Sequence, residues 1–254
     1  MKFFKALKFC AFAAFATVGV SFLINEDSAD FLSRAFITPE QRQSVVRVDV
    51  DHTNGNTDKG SGVLIRADLV LTADHVVRDA KSGSKVIITF KGGLRREAEI
   101  LKTSKLWDLA LLQFDSVLYT PAKPAKMTAI KQQVVTICGF PHGGDYVEAI
   151  GRVVGFRSPD RTSKPNLFVV NQACESGMSG GPVFNDSGDV VGTLFGSLRF
   201  ANCTGLDVIK EFIHEQPIPR QDRKRTPKEH GQLDGGDSHE PTPIRPFSDR
   251  TAAG

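Results

Sequence analysis

Between Gln43 and Glu215 the apolar residues of this 254-residue chain come in short bursts bounded by Gly, Pro, Asp and Asn. Bursts of about four to eight residues enriched in β-branched side chains are the length of strands rather than of helices. The first half offers Val45–Val50, Ser61–Arg66, Leu69–Thr72, Val86–Phe90, Ala98–Thr103 and Leu109–Phe114. The second offers Val134–Gly139, Ala149–Phe156, Leu167–Asn171, Pro182–Phe184, Val190–Leu194 and a weak run at Leu198–Ala201. The stretch Ser116–Met127, with Pro121 and Pro124, divides them six and six, which predicts an all-β fold in two lobes. Only Leu206–Glu215 has helical spacing, through Leu206, Ile209, Phe212 and Ile213, and it predicts a helix packed on the second lobe. No internal repeat of fixed period occurs. With 23 Gly, 13 Pro and 18 Phe, the composition favours many short strands over a helical bundle.

The two ends differ from this pattern. Lys2, Lys5 and Lys8 precede Phe9–Ile24, 16 residues without a charge, which is the order of a secretory signal. That run is shorter than the roughly 18 residues of a confident membrane span. Two outcomes stay open for 1–24: a signal cleaved after Ser21, or a retained membrane anchor with the bulk of the chain translocated. From Gln216 to Gly254 six prolines and scattered charges accompany few large apolar residues, so a disordered tail is expected. Its cluster Arg220, Arg223, Lys224, Arg225 and Lys228 reads as a solvated run. A net charge of +3 is too mild to imply a nucleic-acid partner.

Three segments carry chemistry: Leu71-Thr72-Ala73-Asp74-His75-Val76-Val77, Trp107-Asp108-Leu109-Ala110-Leu111-Leu112 and Gly177-Met178-Ser179-Gly180-Gly181-Pro182-Val183. A serine hydroxyl is a poor nucleophile at neutral pH. It needs a base in hydrogen-bond reach, and the base needs a third group to fix its tautomer and stabilise its charged form. His75 and Asp108 are residues of those types. The glycines around Ser179 allow a sharp turn that aims the Gly177 and Ser179 amides at one point, where a carbonyl oxygen would become an oxyanion. Each segment alone has a bland explanation as a cap, a turn or a core histidine. A chance G-x-S-G-G-P match arises roughly once in several thousand chains of this size.

The order His75, Asp108, Ser179, with G-S-G-V ahead of L-T-A-D-H-V-V, resembles the trypsin-like (chymotrypsin-fold) serine proteases, and most nearly their bacterial HtrA-type and small secreted members. The resemblance covers about Val45 to Glu215. It implies two six-stranded antiparallel β-barrels with an active site between them and no cofactor. Its domain would span 37–215, with barrel one at about 43–115, barrel two at about 130–205 and a helix at 206–215. It further implies Ser179 as nucleophile, His75 as general base and then acid, Asp108 as orienting carboxylate, and the Gly177 and Ser179 amides as oxyanion hole. Gly139-Phe140-Pro141 resembles the turn that opens the second barrel in bacterial members. Protein or peptide substrates follow, as an exported endopeptidase would take. A protease-like binding module without a competent site and a viral-type polyprotein-processing protease are the alternatives.

Departures from the family shape further expectations. Met178 stands where trypsin has the aspartate that captures a newly cut N-terminus, and Ala173 where it has the aspartate that attracts Lys or Arg. Ala173, Leu194 and Phe195 are therefore expected to form an apolar substrate pocket. A following peptide-binding PDZ domain of the HtrA kind is not expected. Cys10 lies in the N-terminal run, and Cys174 with Cys203 resembles the disulfide that ties the segment before the nucleophile to a later loop. Cys138 would then be a buried thiol. No Cys or His spacing reads as a metal site, and His52, His142, His214, His230 and His239 are taken as structural or solvated.

Overall fold

The computed structural model describes residues 37–159, 166–197 and 199–214. The N-terminal run at 1–24 and the tail at 216–254, with its basic cluster, lie outside them.

Twelve strands form in chain order: β1 Val45–Asp51, β2 Thr57–Arg66, β3 Leu69–Thr72, β4 Lys85–Phe90, β5 Arg95–Ser104, β6 Leu109–Gln113, β7 Val134–Gly139, β8 Val147–Arg157, β9 Leu167–Val170, β10 Pro182–Phe184, β11 Val190–Ser197 and β12 Ala201–Gly205. They close into two six-stranded antiparallel barrels, ordered β1-β2-β3-β6-β5-β4 and β7-β8-β9-β12-β11-β10. Shifting the first order by six gives the second, so one topology is used twice although the sequence shows no repeat. Among the described residues three short α-helices join them: α1 Pro39–Gln43, α2 Asp74–Val77 and α3 Leu206–His214. Thr38 caps α1 reciprocally with Gln41.

The cores explain why the apolar bursts read as they do. Val46, Val48, Leu64, Val70, Ile88 and Leu112 fill barrel one, and Val135, Ile137, Val153, Phe168, Val183 and Val191 fill barrel two. A third cluster lies between them, where Val63, Leu71, Leu109 and Leu111 meet Phe140, Phe184, Val208 and Phe212. β3 is buried throughout, with Val70 facing one cluster and Leu71 the other. Strands covered on both faces lose the alternation of a half-exposed sheet and appear as continuous apolar runs.

The weak run Leu198–Ala201 is corrected. The last strand begins at Ala201 and runs through Asn202, Cys203 and Thr204, pairing with both β9 and β11. Phe200, a large apolar residue of that run, is exposed. Among the described residues no helix is long and apolar enough to cross a membrane.

Candidate active site

The first of the three segments leaves β3 and enters α2, so His75 sits in a helical turn rather than on a strand edge. Its backbone N–H donates to Asp108 Oδ1 at 2.8 Å. Its ring Nδ1 lies 2.6 Å from Asp108 Oδ2, and because a carboxylate only accepts, that nitrogen carries the proton. Two bonds to one carboxylate fix both the tilt of the ring and its tautomer. Asp108 ends the turn after β5 with φ of 51°, a left-handed conformation that aspartate tolerates better than most residues. Thr204 Oγ1 of β12 donates to the preceding carbonyl, Trp107 O, at 2.8 Å and moors this turn to barrel two.

Ser179 reaches the same place from barrel two. Its carbonyl accepts the Ser61 N–H of β2 at 2.8 Å, and the next amide, Gly180 N–H, donates to Leu194 O at 2.6 Å. The Ser61 hydroxyl, fully buried, donates to Gly177 O at 2.7 Å and accepts from Phe140 N–H at 2.9 Å. One side chain of barrel one thus holds both the serine loop and the Gly-Phe-Pro turn. Gly60 lies against both the Val76 side chain of α2 and Ser179 O, which brings the histidine helix and the serine loop together over one glycine. Among the described residues no hydrogen bond joins Ser179 Oγ to the ring of His75, and such bonds are often long until substrate arrives.

The oxyanion amides have a backbone explanation. In a trans peptide the C=O and N–H point in opposite directions. Ser176 O is held by His142 N–H at 2.7 Å, and Met178 O by Gly181 N–H at 3.0 Å. The amides on the far sides of these two peptides are Gly177 N–H and Ser179 N–H. Neither donates to another protein atom among the described residues. Gly177 has φ of 90°, and a Cβ there would stand 2.7 Å from Phe140 O.

Gly180 is equally constrained. Its φ is 85°, and a Cβ would strike Ser61 O and Thr72 Oγ1 and stand 2.7 Å from Ala73 N. Strain and collision with backbone add, so Gly180→Ala is expected to lower stability by about 3 kcal/mol or more. A melting temperature equal to that of the unmodified chain would contradict this packing.

The pocket residues separate. Leu194 is buried in the core of barrel two, Phe195 is half-buried and Ala173 is exposed. The register slips between Leu194 and Gly196, which makes Phe195 the extra residue of a bulge, a device that re-aims a side chain beside an active site. The expected Cys174–Cys203 disulfide is not formed, and Cys138 is in no disulfide either. Burial pushes the Cys174 thiol up to about 11 and raises the Cys203 thiol well above its ordinary value, with Cys174 itself a lesser cause at Cys203. Protonated thiols are poor attackers in disulfide exchange.

Sequence reasoning missed Ser61, the amide of His142 and Arg78. The side chain of His142 is largely exposed and faces Glu175 at 3.3 Å, as a solvated histidine should be; its backbone does the positioning. His52 pairs with Asp58 at 2.8 Å, away from these contacts. Among the described residues no group of His, Cys, Asp and Glu is arranged to hold a metal ion.

Comparison with known proteins fits this architecture. A model of the trypsin-like peptidase domain matches residues 60–192. The chain is 28% identical to the serine protease Rv3671c of Mycobacterium tuberculosis over 151 residues, which are 55% of this chain and 36% of the relative. It is 32% identical to a probable periplasmic serine endoprotease, DegP-like, of Pseudomonas fluorescens over 137 residues, 52% of this chain and 28% of that protein. The chain therefore spans about a third of the length of the curated relatives it matches. The crystal structure of the Rv3671c protease in its active form superposes with a TM-score of 0.62 at 22% identity, covering 71% of this chain and 87% of that one. The serine endoprotease of Yersinia pestis gives 0.60 at 21%, covering 70% and 66%.

Proposed function

We propose, since this chain belongs to the trypsin-like peptidase domain family, that it is a serine endopeptidase working through a covalent acyl-enzyme. Ser179 Oγ attacks the scissile carbonyl carbon while His75 Nε2 takes the hydroxyl proton. The carbonyl oxygen gains negative charge and is received by the amides of Gly177 and Ser179. His75 then passes its proton to the leaving amine, the C–N bond breaks, and an ester to Ser179 remains. Water attacks that ester while His75 takes a proton from it, and His75 then returns the proton to Ser179 Oγ as the acyl C–O bond breaks and the acid product leaves. Asp108 stays ionised throughout and offsets the charge of the imidazolium. The observation that carries this reading is the double hydrogen bond from His75 to Asp108 beside a serine loop whose two outward amides have no protein acceptor among the described residues.

Residues 37–215 form the peptidase unit in this reading, and its substrates are proteins or peptides. An apolar side chain before the cleaved bond suits a site that has Ala173 and half-buried Phe195 and lacks an aspartate at position 173. Export is supported by the relative named as periplasmic and by the Lys-then-apolar order of residues 2–24.

The test is a fluorophosphonate probe together with a peptide library, both on the full chain. The expected results are labelling at Ser179 that is lost in His75→Ala, and cleavage after apolar residues. An unlabelled Ser179 in the unmodified chain would overturn the mechanism. Preferred cleavage after Lys or Arg would overturn the pocket assignment alone.

A further inference from the structure

Arg78 directly follows α2, and a single atom of it makes two ionic contacts. Its Nη2 lies 2.8 Å from Asp74 Oδ2 and 3.0 Å from Asp108 Oδ1. The side chain of Asp74 is only 5% exposed and that of Asp108 15%, whereas Arg78 retains 36%. An unpaired carboxylate as buried as Asp74 would be costly, so Asp74 needs the guanidinium. Once held there, the guanidinium also caps the carboxylate on which His75 depends. Asp108 then accepts from three donors: the His75 N–H and Arg78 Nη2 on Oδ1, and His75 Nδ1 on Oδ2. A carboxylate fixed by three donors cannot turn about its terminal bond without breaking at least one of them.

Charge arithmetic favours this arrangement over a simple pair. Two carboxylates and one guanidinium leave one net negative charge facing the imidazole, the same as Asp108 alone would give. Arg78 and Asp74 together therefore restrain Asp108 without cancelling the charge it offers. On the strands packed against α2, Arg47 pairs with Asp49, Asp58 with His52, Arg66 with Asp68 and Glu97 with Lys85. Asp51 accepts from Thr57, Lys59, Arg96 and Lys102 donate to the carbonyls of His142, Arg95 and Phe212, Arg95 and Glu99 are exposed, and β6 carries no titratable side chain.

We propose that Arg78, anchored on buried Asp74, is a positioning residue that locks the plane of the Asp108 carboxylate and through it the ring of His75. This rests on the acyl-transfer reading above, and Arg78 itself touches no reacting atom.

Arg78→Met removes the clamp but strands the Asp74 anion, so the informative variant is Asp74→Asn/Arg78→Met, which removes both charges and leaves no unpaired buried anion. Arg78→Lys is its counterpart, because one nitrogen suffices to bridge both carboxylates. Two quantities are measured: kcat and KM for a peptide substrate, and the downfield proton resonance of His75 Nδ1–H. In the double variant kcat should fall about tenfold with KM unchanged, the scale expected from a loosened catalytic group, and the resonance should broaden or shift. Arg78→Lys should restore most of both. A double variant whose resonance matches that of the unmodified protein overturns the clamp, whatever its activity. If the unmodified chain is inert to fluorophosphonate, the acyl-transfer reading fails while the resonance still decides the clamp.

Discussion

Ser179→Ala will lower kcat for peptide hydrolysis by about 10⁶-fold and leave the melting temperature close to that of the unmodified chain. The size follows from what the hydroxyl alone supplies. Without it no acyl-enzyme forms, and only substrate binding and the oxyanion amides act on a water molecule, which leaves a small residue of catalysis. The fold should not notice the change. Every hydrogen bond made by residue 179 among the described residues uses its backbone, with Ser179 O accepting from Ser61 N–H, and alanine keeps that carbonyl. Surface-lying substitutions of this kind shift stability by about 0.5 kcal/mol or less. Steady-state kinetics beside a thermal melt checks both halves. Turnover within tenfold of the unmodified enzyme would mean that another group attacks the carbonyl.

The strands were legible wherever burial on both faces made the pattern redundant. Leu69–Thr72, Val134–Gly139 and Pro182–Phe184 have the same limits in the sequence and in the fold. β5 was read short, as Ala98–Thr103, because its outer residues Arg95 to Glu97 lie on a solvated edge where no apolar signal accumulates. β12 was misplaced for the opposite reason. Ala-Asn-Cys-Thr-Gly contains no apolar burst, yet its alternate residues Ala201 and Cys203 enter the core of barrel two. Pairing with two neighbours decides such a strand, and pairing is a property of distant segments.

The same distinction separates the parts of the site. His75, Asp108 and Ser179 could be read from the chain because their chemistry requires particular side chains at particular turns. Ser61 could not, because its role depends on two groups 79 and 116 residues away. The amide of His142 could not either, since any residue would supply that N–H. Nothing in the chain singles out Arg78 among its cations, and only the burial of Asp74 beside Asp108 distinguishes it from a solvated i,i+4 pair. The disulfide shows the converse, since a pairing carried over by resemblance meets two protonated thiols on one core, Cys203 buried and Cys174 half-buried.

Asp108→Asn will lower kcat by about 10⁴-fold, and the reason lies in which way the new amide must face. Oδ1 of Asp108 accepts from two donors, His75 N–H at 2.8 Å and Arg78 Nη2 at 3.0 Å, whereas Oδ2 faces a single ring nitrogen. An asparagine can satisfy the first pair only with its carbonyl oxygen, so its NH₂ group is turned towards His75 Nδ1. A donor there requires an unprotonated Nδ1, which moves the ring proton to Nε2. With that tautomer His75 has no lone pair to accept the Ser179 proton, and general-base catalysis stops. Stability should change little, because Arg78 keeps Asp74 as its counter-charge and the amide preserves the shape of the carboxylate. Nitrogen-15 chemical shifts of the imidazole should report the altered tautomer, and kinetics the loss of rate. An Asp108→Asn enzyme that keeps the proton on Nδ1 and turns over within tenfold of the unmodified chain would show that Asp108 neither sets the tautomer nor supports the reaction.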